Sequence, residues 1–217
     1  MEIMHIEGRY KGEINPGKIK ADEMPENIAL LTTVQFLGHM QKVKEYLEKQ
    51  GKEVSLPSTN AYYPGQVLGC SIKKLEGFDC ILYVGDGQFH PIALALENNV
   101  TVYTFNPFTG IFDTVRESQV KQMMQAQKAA ITKFYHSKKI GLLISLKPGQ
   151  FRPEIKEQLQ EKYPDKEFFT LVFDTLQPES LENFAFIDCF VNTSCPRISY
   201  DDYLSFNNKV VEFNYVL

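Results

Sequence analysis

A chain of 217 residues, 43% hydrophobic and 23% charged, has the makeup of a globular protein and the length for one large domain or two of roughly 100 residues. Its formal net charge of −4 offers no basic footprint, so nucleic acid is not an expected partner. The longest apolar runs, such as 140–146, fall far short of the ~20 residues that span a bilayer, and no basic-then-apolar leader opens the chain; neither membrane nor export is expected, and a cytoplasmic location is the default.

Residues 1–27 read as a polar, glycine-punctuated lead-in with a short strand predicted over 3–6. The run 28–34 (IALLTTV) has little alternation, which predicts a strand covered on both faces. Leu37, Met40, Val43 and Leu47 then share a face at helical spacing, predicting a helix over 36–50 with Gly51 at its C-cap. A second strand is expected over 52–56, completing a β-α-β start. The segment 64–70 (PGQVLGC) is expected to open a short helix. A buried strand over 80–84 ends in Gly85-Asp86-Gly87, followed by a helix over 91–97, a strand over 101–105 and a long helix over 117–136.

The pattern then restarts. Residues 140–146 (IGLLISL) predict a buried strand, 153–163 a helix, 168–173 a strand, and 185–191 a strand running into Asn192-Thr193-Ser194-Cys195-Pro196. Ser199 is the expected N-cap of a short helix through Tyr203 and Leu204, with Asp201 and Asp202 at its positive end. A last strand is expected over 210–213. Aligning Ile28 with Ile140 brings Cys80 beside Cys189 at the cost of one short deletion, so the two halves look like an internal duplication. The expected fold class is α/β: a lead-in over 1–25, one unit over 26–128 and a similar one over 129–217, each with a mainly parallel sheet flanked by helices. Ligands of such sheets sit at the carboxyl ends of the strands. Those ends carry Gln35, the Gly85–Gly87 loop, residues 147–150 and residues 192–195.

The four cysteines are Cys70, Cys80, Cys189 and Cys195, with no C-x-x-C pair among them. Cys80 and Cys189 fall inside predicted strands and read as buried hydrophobes. Cys195 follows its strand in a polar loop before a proline. Cys70 follows Gly69 near an expected helix start, where a thiolate is stabilised. Gly85 and Gly87 around Asp86 suit either close approach of a ligand to the backbone or a tight turn. His90 caps a helix or touches substrate. Lys147 and Gln150 supply a cation and an amide, or a solvated turn. Arg197 supplies a fork for a carboxylate, or pairs with Asp201 or Asp202. His5, His39 and His136 have no metal-ligand spacing.

At these strand ends five segments, in one order, resemble the diphthamide synthase family, the 2-(3-amino-3-carboxypropyl)histidine synthases. They are Thr32-Thr33-Val34-Gln35, Pro64-Gly65-Gln66-Val67-Leu68-Gly69-Cys70, Val84-Gly85-Asp86-Gly87-Gln88-Phe89-His90-Pro91, Lys147-Pro148-Gly149-Gln150-Phe151-Arg152 and Val191-Asn192-Thr193-Ser194-Cys195-Pro196-Arg197. The resemblance implies three similar α/β domains around a central site, each giving one cysteine to a 4Fe-4S cluster. Cys70, in the G-Q-x-L-G-C segment, would be the middle domain's ligand, and Cys195, in T-x-C-P-R, the last domain's. It further implies S-adenosylmethionine as cofactor, near Gln35, Gly85, Asp86, Gly87, His90, Lys147, Gln150 and Arg197, and radical transfer of a 3-amino-3-carboxypropyl group to a histidine of translation elongation factor 2. An electron donor and a homologous subunit, in a homodimer or heterodimer, are implied partners. Residues 4–9 resemble the exit from the family's first domain. The departure from the pattern is that this domain and its cysteine are not in the sequence, so a separate N-terminal domain is a further expected partner and the chain alone is expected to be inactive. Two other functions remain open at this point: a non-catalytic partner subunit of a complete homologue, and a cluster-free protein that binds a nucleotide-like ligand.

Overall fold

The computed structural model describes residues 4, 6–69, 72–200 and 210–217, and the chain forms two units, Met1–Val120 and Lys121–Leu217. In the first, the apolar run forms β1 (Asn27–Thr32), in which Ile28, Ala29, Leu30 and Leu31 are wholly buried. A strand with no polar face needs cover on both sides. Ile28 and Leu30 pack with Phe36, Val43 and Leu47, so α1 (Met40–Lys49) covers that face. Ala29 and Leu31 pack with Val67, Leu94 and Val102 on the other, beneath α2 (Phe89–Glu97). The remaining strands are β2 (Glu53–Ser55), β3 (Cys80–Val84), β4 (Thr101–Phe105) and β5 (Phe112–Thr114), in the order β2-β1-β3-β4-β5. All pairs are parallel except β4 with β5.

The second unit contains most of α3 (Glu117–His136), then β6 (Lys139–Ser145), α4 (Ile155–Lys162), β7 (Glu167–Phe173), β8 (Cys189–Asn192), α5 (Arg197–Tyr200) and β9 (Val210–Glu212). Its parallel sheet has the order β7-β6-β8-β9. Phe134, Ile140, Leu142, Leu159 and Val191 fill one face, and Leu143, Leu181, Ile187 and Phe190 the other. Both units are therefore α/β with mainly parallel sheets flanked by helices. Their likeness extends to register: Ile28 pairs with Cys80 as Ile140 pairs with Cys189. Asp79 Oδ2 accepts from the Asn27 N–H at 3.3 Å, and Asp188 Oδ2 from the Lys139 N–H at 2.9 Å. In each sheet the chain runs to one side of its first strand and returns on the other, so a topological switch point lies between β1 and β3 and between β6 and β8.

Some local expectations change. The helix expected from residue 36 starts as a 3-10 segment, Val34–His39, and becomes α-helical only at Met40; Thr33 makes no side-chain cap and Gly38 disfavours the α conformation. The described part of 64–70 is no helix. Because β2 pairs only with Asn27, Ile28 and Ala29, the backbone of Thr32 needs another partner. Its N–H donates to Gly65 O and its carbonyl accepts from the Val67 N–H, both at 2.8 Å, so this segment continues the sheet along the end of β1. The strand expected from residue 185 begins only at Cys189, behind a 3-10 segment, Pro178–Phe184. Strand β5 has no counterpart in the sequence reading. Ser199 lies inside α5 rather than capping it. Residues 3 and 5 of the predicted first strand, His5, Cys70, Asp201, Asp202, Tyr203 and Leu204 lie outside the described residues. Among the described residues no helix is long and apolar enough to cross a membrane.

Candidate functional site

In the first unit the carboxyl ends of β1 and β3 gather Gln35, the Gly85-Asp86-Gly87 loop and His90. Thr32 ends β1 fully buried, and its hydroxyl donates to Val84 O at 2.6 Å, tying the two strand ends together. Gln35 lies in the 3-10 segment after β1, its carbonyl accepting from the Tyr10 N–H at 2.8 Å. Gly85 is held over the end of β3, with its N–H on Phe105 O at 3.0 Å, while Asp86 is exposed. His90, half-buried in the first turn of α2, stacks on Tyr83 with ring centroids 5.7 Å apart and planes at 19°, its Nδ1 3.4 Å from the phenol oxygen. Burial, and then the charge of Asp86, push the Tyr83 phenol well above its ordinary pKa, so it stays protonated beside the imidazole. Tyr83 reads in the sequence as one more apolar residue of a buried strand; nothing there marks it as the support of His90.

Two glycines allow this packing. A Cβ on Gly69 would overlap the Phe89 ring, so the residue before Cys70 lies against the start of α2. Cys70 itself is outside the described residues. A Cβ on Gly85 would sit 2.6 Å from Tyr83 Oη, and Tyr83, only 1% exposed, has no room to swing away. Gly85→Ala is therefore expected to cost about 1–3 kcal/mol through overpacking. Denaturant titration followed by circular dichroism measures this, and an unchanged midpoint would show that the loop yields instead.

In the second unit the carboxyl ends of β6 and β8 gather Lys147, Gln150, Cys195 and Arg197. The two loops are joined through serines: Ser145 N–H donates to Ser194 Oγ at 3.0 Å, and Ser145 Oγ accepts from the Lys147 N–H at 3.1 Å. Thr193 Oγ1 donates to Leu143 O at 2.9 Å. Gln150 N–H closes the turn on Lys147 O at 3.0 Å. The Lys147 side chain is exposed, Gln150 half-buried, and Arg197 exposed at the start of α5. Beneath the loop, Asn192 is fully buried; its Nδ2 donates to Cys195 O at 2.9 Å and to Glu212 Oε1 at 2.5 Å, and its Oδ1 accepts from the Ser194 N–H at 3.0 Å. Glu212, 4% exposed at the end of β9, is no candidate in the sequence, where it reads as the edge of a last strand. Desolvation pushes its carboxyl up to about 7, against the lowering effects of its hydrogen bonds to Ser199 and Asn192 and of the Arg152 charge.

The described cysteines divide by accessibility. Cys80 and Cys189 are wholly buried, and desolvation pushes both thiols up to about 12, so neither is a ready metal ligand. Cys195 is a free, half-exposed thiol in the loop beyond β8.

Residues 3–214 match the family model described as "Putative diphthamide synthesis protein". The chain belongs to this diphthamide synthesis family. Curated relatives include the 2-(3-amino-3-carboxypropyl)histidine synthase of Pyrococcus horikoshii, 32% identical over 91% of this chain and 57% of that protein, and the one of Methanocaldococcus jannaschii, 32% identical over 79% and 54%. Subunit 1 of the same synthase from Encephalitozoon cuniculi is 28% identical over 80% of the chain and 51% of its own length. The chain thus spans about half the length of the curated relatives it matches. Among solved structures, Dph2 from Pyrococcus horikoshii with a 4Fe-4S cluster superposes with a TM-score of 0.75 at 28% identity, covering 90% of this chain and 57% of that one.

The donor chemistry in this diphthamide-family chain fits such a cluster as far as the described residues go. A 4Fe-4S cluster takes cysteine thiolates, and Cys195 is the described cysteine that a metal could reach. No group of three His, Cys, Asp or Glu side chains comes together among the described residues.

Proposed function

We propose that this chain supplies two ligands, Cys70 and Cys195, and the surrounding strand-end loops to the 4Fe-4S centre of a 2-(3-amino-3-carboxypropyl)histidine synthase. The activity is the first step of diphthamide biosynthesis: transfer of the 3-amino-3-carboxypropyl group of S-adenosylmethionine to a histidine of translation elongation factor 2. When bound, the cluster supplies one electron to the sulfonium. The observation that carries this reading is the placement of Cys195, a half-exposed thiol at a switch-point strand end, beside a loop that offers Lys147 and Gln150.

The chain's own residues have distinct parts. The Lys147 ammonium and the Arg197 guanidinium suit the methionyl carboxylate, and Gln150 and Gln35 offer amides to the ribose or amino group. His90, held flat against Tyr83, presents an imidazole at the other strand end. The two units take the places of the second and third of the family's three domains, and the third cysteine comes from outside these residues. A homologous subunit, an electron donor and elongation factor 2 are the partners, and the cytoplasm is the compartment.

The test is anaerobic reconstitution with iron and sulfide, of this chain alone and with a cysteine-bearing N-terminal domain of a relative. The expected result is a sulfide-to-iron charge-transfer band that develops fully only with the added domain and is lost in Cys70→Ala and in Cys195→Ala. Retention of the band in both variants would sink the ligand assignment. Tight binding of S-adenosylmethionine by the iron-free chain, with no band under any condition, would favour a cluster-free binding protein.

A further inference from the structure

Strands β8 and β9 pair in parallel with Asn192 opposite Glu212. That register sets a carboxylate under the loop that carries Cys195. Glu212 Oε1 accepts from Asn192 Nδ2 at 2.5 Å, and the carboxylate also takes the Ser199 hydroxyl as donor. Asn192 lies before the loop and Ser199 beyond it, in α5, so one buried side chain grips both ends of the segment 193–198. Asn192 relays this grip inward: its amide reaches Cys195 O at 2.9 Å and the Ser194 N–H at 3.0 Å, on both sides of the Ser194–Cys195 peptide.

The choice of side chain is specific. Asn192 Nδ2 and the Ser199 hydroxyl are donors, and the Glu212 carboxyl accepts from both. Burial of an acid in this position is costly. An apolar residue in its place would avoid that cost but would leave the Asn192 amide short of an acceptor, at the full penalty of an unsatisfied buried donor. The next residue extends the same strand end to the neighbouring loop: the Arg152 guanidinium, which closes the segment 147–152, lies over the Phe213 ring, 5.1 Å from its centroid. The end of β9 thus touches both loops that carry candidate site residues in this unit.

We propose that Glu212, acting through Asn192 and Ser199, is a positioning residue that fixes the Cys195 loop in the conformation that presents its thiol to a metal centre. The inference rests on the reading of Cys195 as a ligand, and its first test does not need the cluster. In the cluster-free chain the rate of Cys195 alkylation by iodoacetamide, assigned by peptide mass spectrometry, reports on the loop. Buried Cys80 and Cys189 serve in the same reaction as markers of the folded state. Glu212→Ala is expected to raise the Cys195 rate about fivefold, the factor that one lost hydrogen bond gives. Glu212→Gln, which keeps an acceptor for Asn192, is expected to stay near the parent rate. Val211→Ala, a packing change on the same strand with no part in the network, is expected to leave the Cys195 rate unchanged.

A Cys195 rate in Glu212→Ala equal to the parent's, or an equal rise in Glu212→Gln, overturns the proposal. If Glu212→Ala exposes Cys189 as well, the decision passes to Ser199→Ala, which removes one donor and keeps the Asn192 contact: a faster Cys195 with Cys189 still protected supports the proposal, and an unchanged Cys195 overturns it. Iron content after reconstitution with the added domain then links the network to the cluster, with less iron expected in Glu212→Ala and parental iron in Glu212→Gln. A changed alkylation rate together with a Cys195→Ala protein that still builds the full cluster would keep the network and reject the ligand reading, so the two can fail separately.

Discussion

Phe134→Ala is expected to cost the second unit about 3–5 kcal/mol, the range for emptying a large aromatic site in a packed core. Phe134 is wholly buried on the face of α3 that meets β6 and β8, among Ile140, Leu142, Leu159 and Val191. Tyr163 meets it edge-on at 5.1 Å, and the Lys166 ammonium lies 5.2 Å from the ring centroid while donating to Phe134 O at 3.0 Å. The substitution removes the ring from all of these at once, and the strand residues among its neighbours, Ile140, Leu142 and Val191, cannot collapse into the gap without breaking register. Tyr135, the next residue, is 52% exposed and serves as the control: its replacement by Ala is expected to cost less than about 1 kcal/mol. Hydrogen exchange of peptides from β6 and β8 measures the effect locally. Equal protection in the two variants would mean that α3 does not anchor the sheet.

The helix that provides this anchor is legible in the residue pattern alone, as are the strands that matter most. The runs 28–34 and 140–146 read as strands buried on both faces, and β1 and β6 are such strands. The duplication predicts that Cys80 and Cys189 are equivalent, and each pairs across its sheet with the isoleucine that the alignment of the two halves brings to the same place. The loops after the strands are legible because parallel sheets put ligands there. What escapes are residues whose roles depend on adjacency between distant segments. Gln66 reads as part of a helix start until the unpaired backbone of Thr32 is known to need it. Asn192 stands out as a polar residue at a strand end, but its partner Glu212 can be found only from the register of β8 with β9. Tyr83 suits a core strand, and only the fold of α2 sets His90 against it. Strand β5 has three residues and follows a turn built by Asn106, too short to carry a periodicity of its own.

The Glu212 carboxyl gives the chain an expected dependence of stability on pH whose direction is opposite to that of ordinary acid unfolding. Desolvation pushes it from an ordinary value of 4.5 up to about 7, with Ser199, Asn192 and the Arg152 charge pulling the other way. Between those two values the folded chain holds a proton that the unfolded chain has released, so the stability of the second unit falls as pH rises. The contribution is full below pH 4.5 and is lost as pH climbs through about 7, with an amplitude of about 3 kcal/mol. Asp188 acts in a separate window. The Lys139 N–H, and with it the Lys138 N–H, hold its carboxyl below the ordinary 3.8, so its stabilising effect is full above that value and is lost as pH falls below it. Glu212→Gln removes the first dependence and leaves the second. In urea titrations between about pH 5 and pH 8 the parent midpoint is therefore expected to drop with rising pH while that of Glu212→Gln stays nearly level. Arg152→Ala, which takes away the charge that favours the ionised form, is expected to steepen the drop. Parallel profiles for the parent and Glu212→Gln would mean that the carboxyl is not held in the buried position at the end of β9, and the grip on the Cys195 loop would lose its physical basis with it.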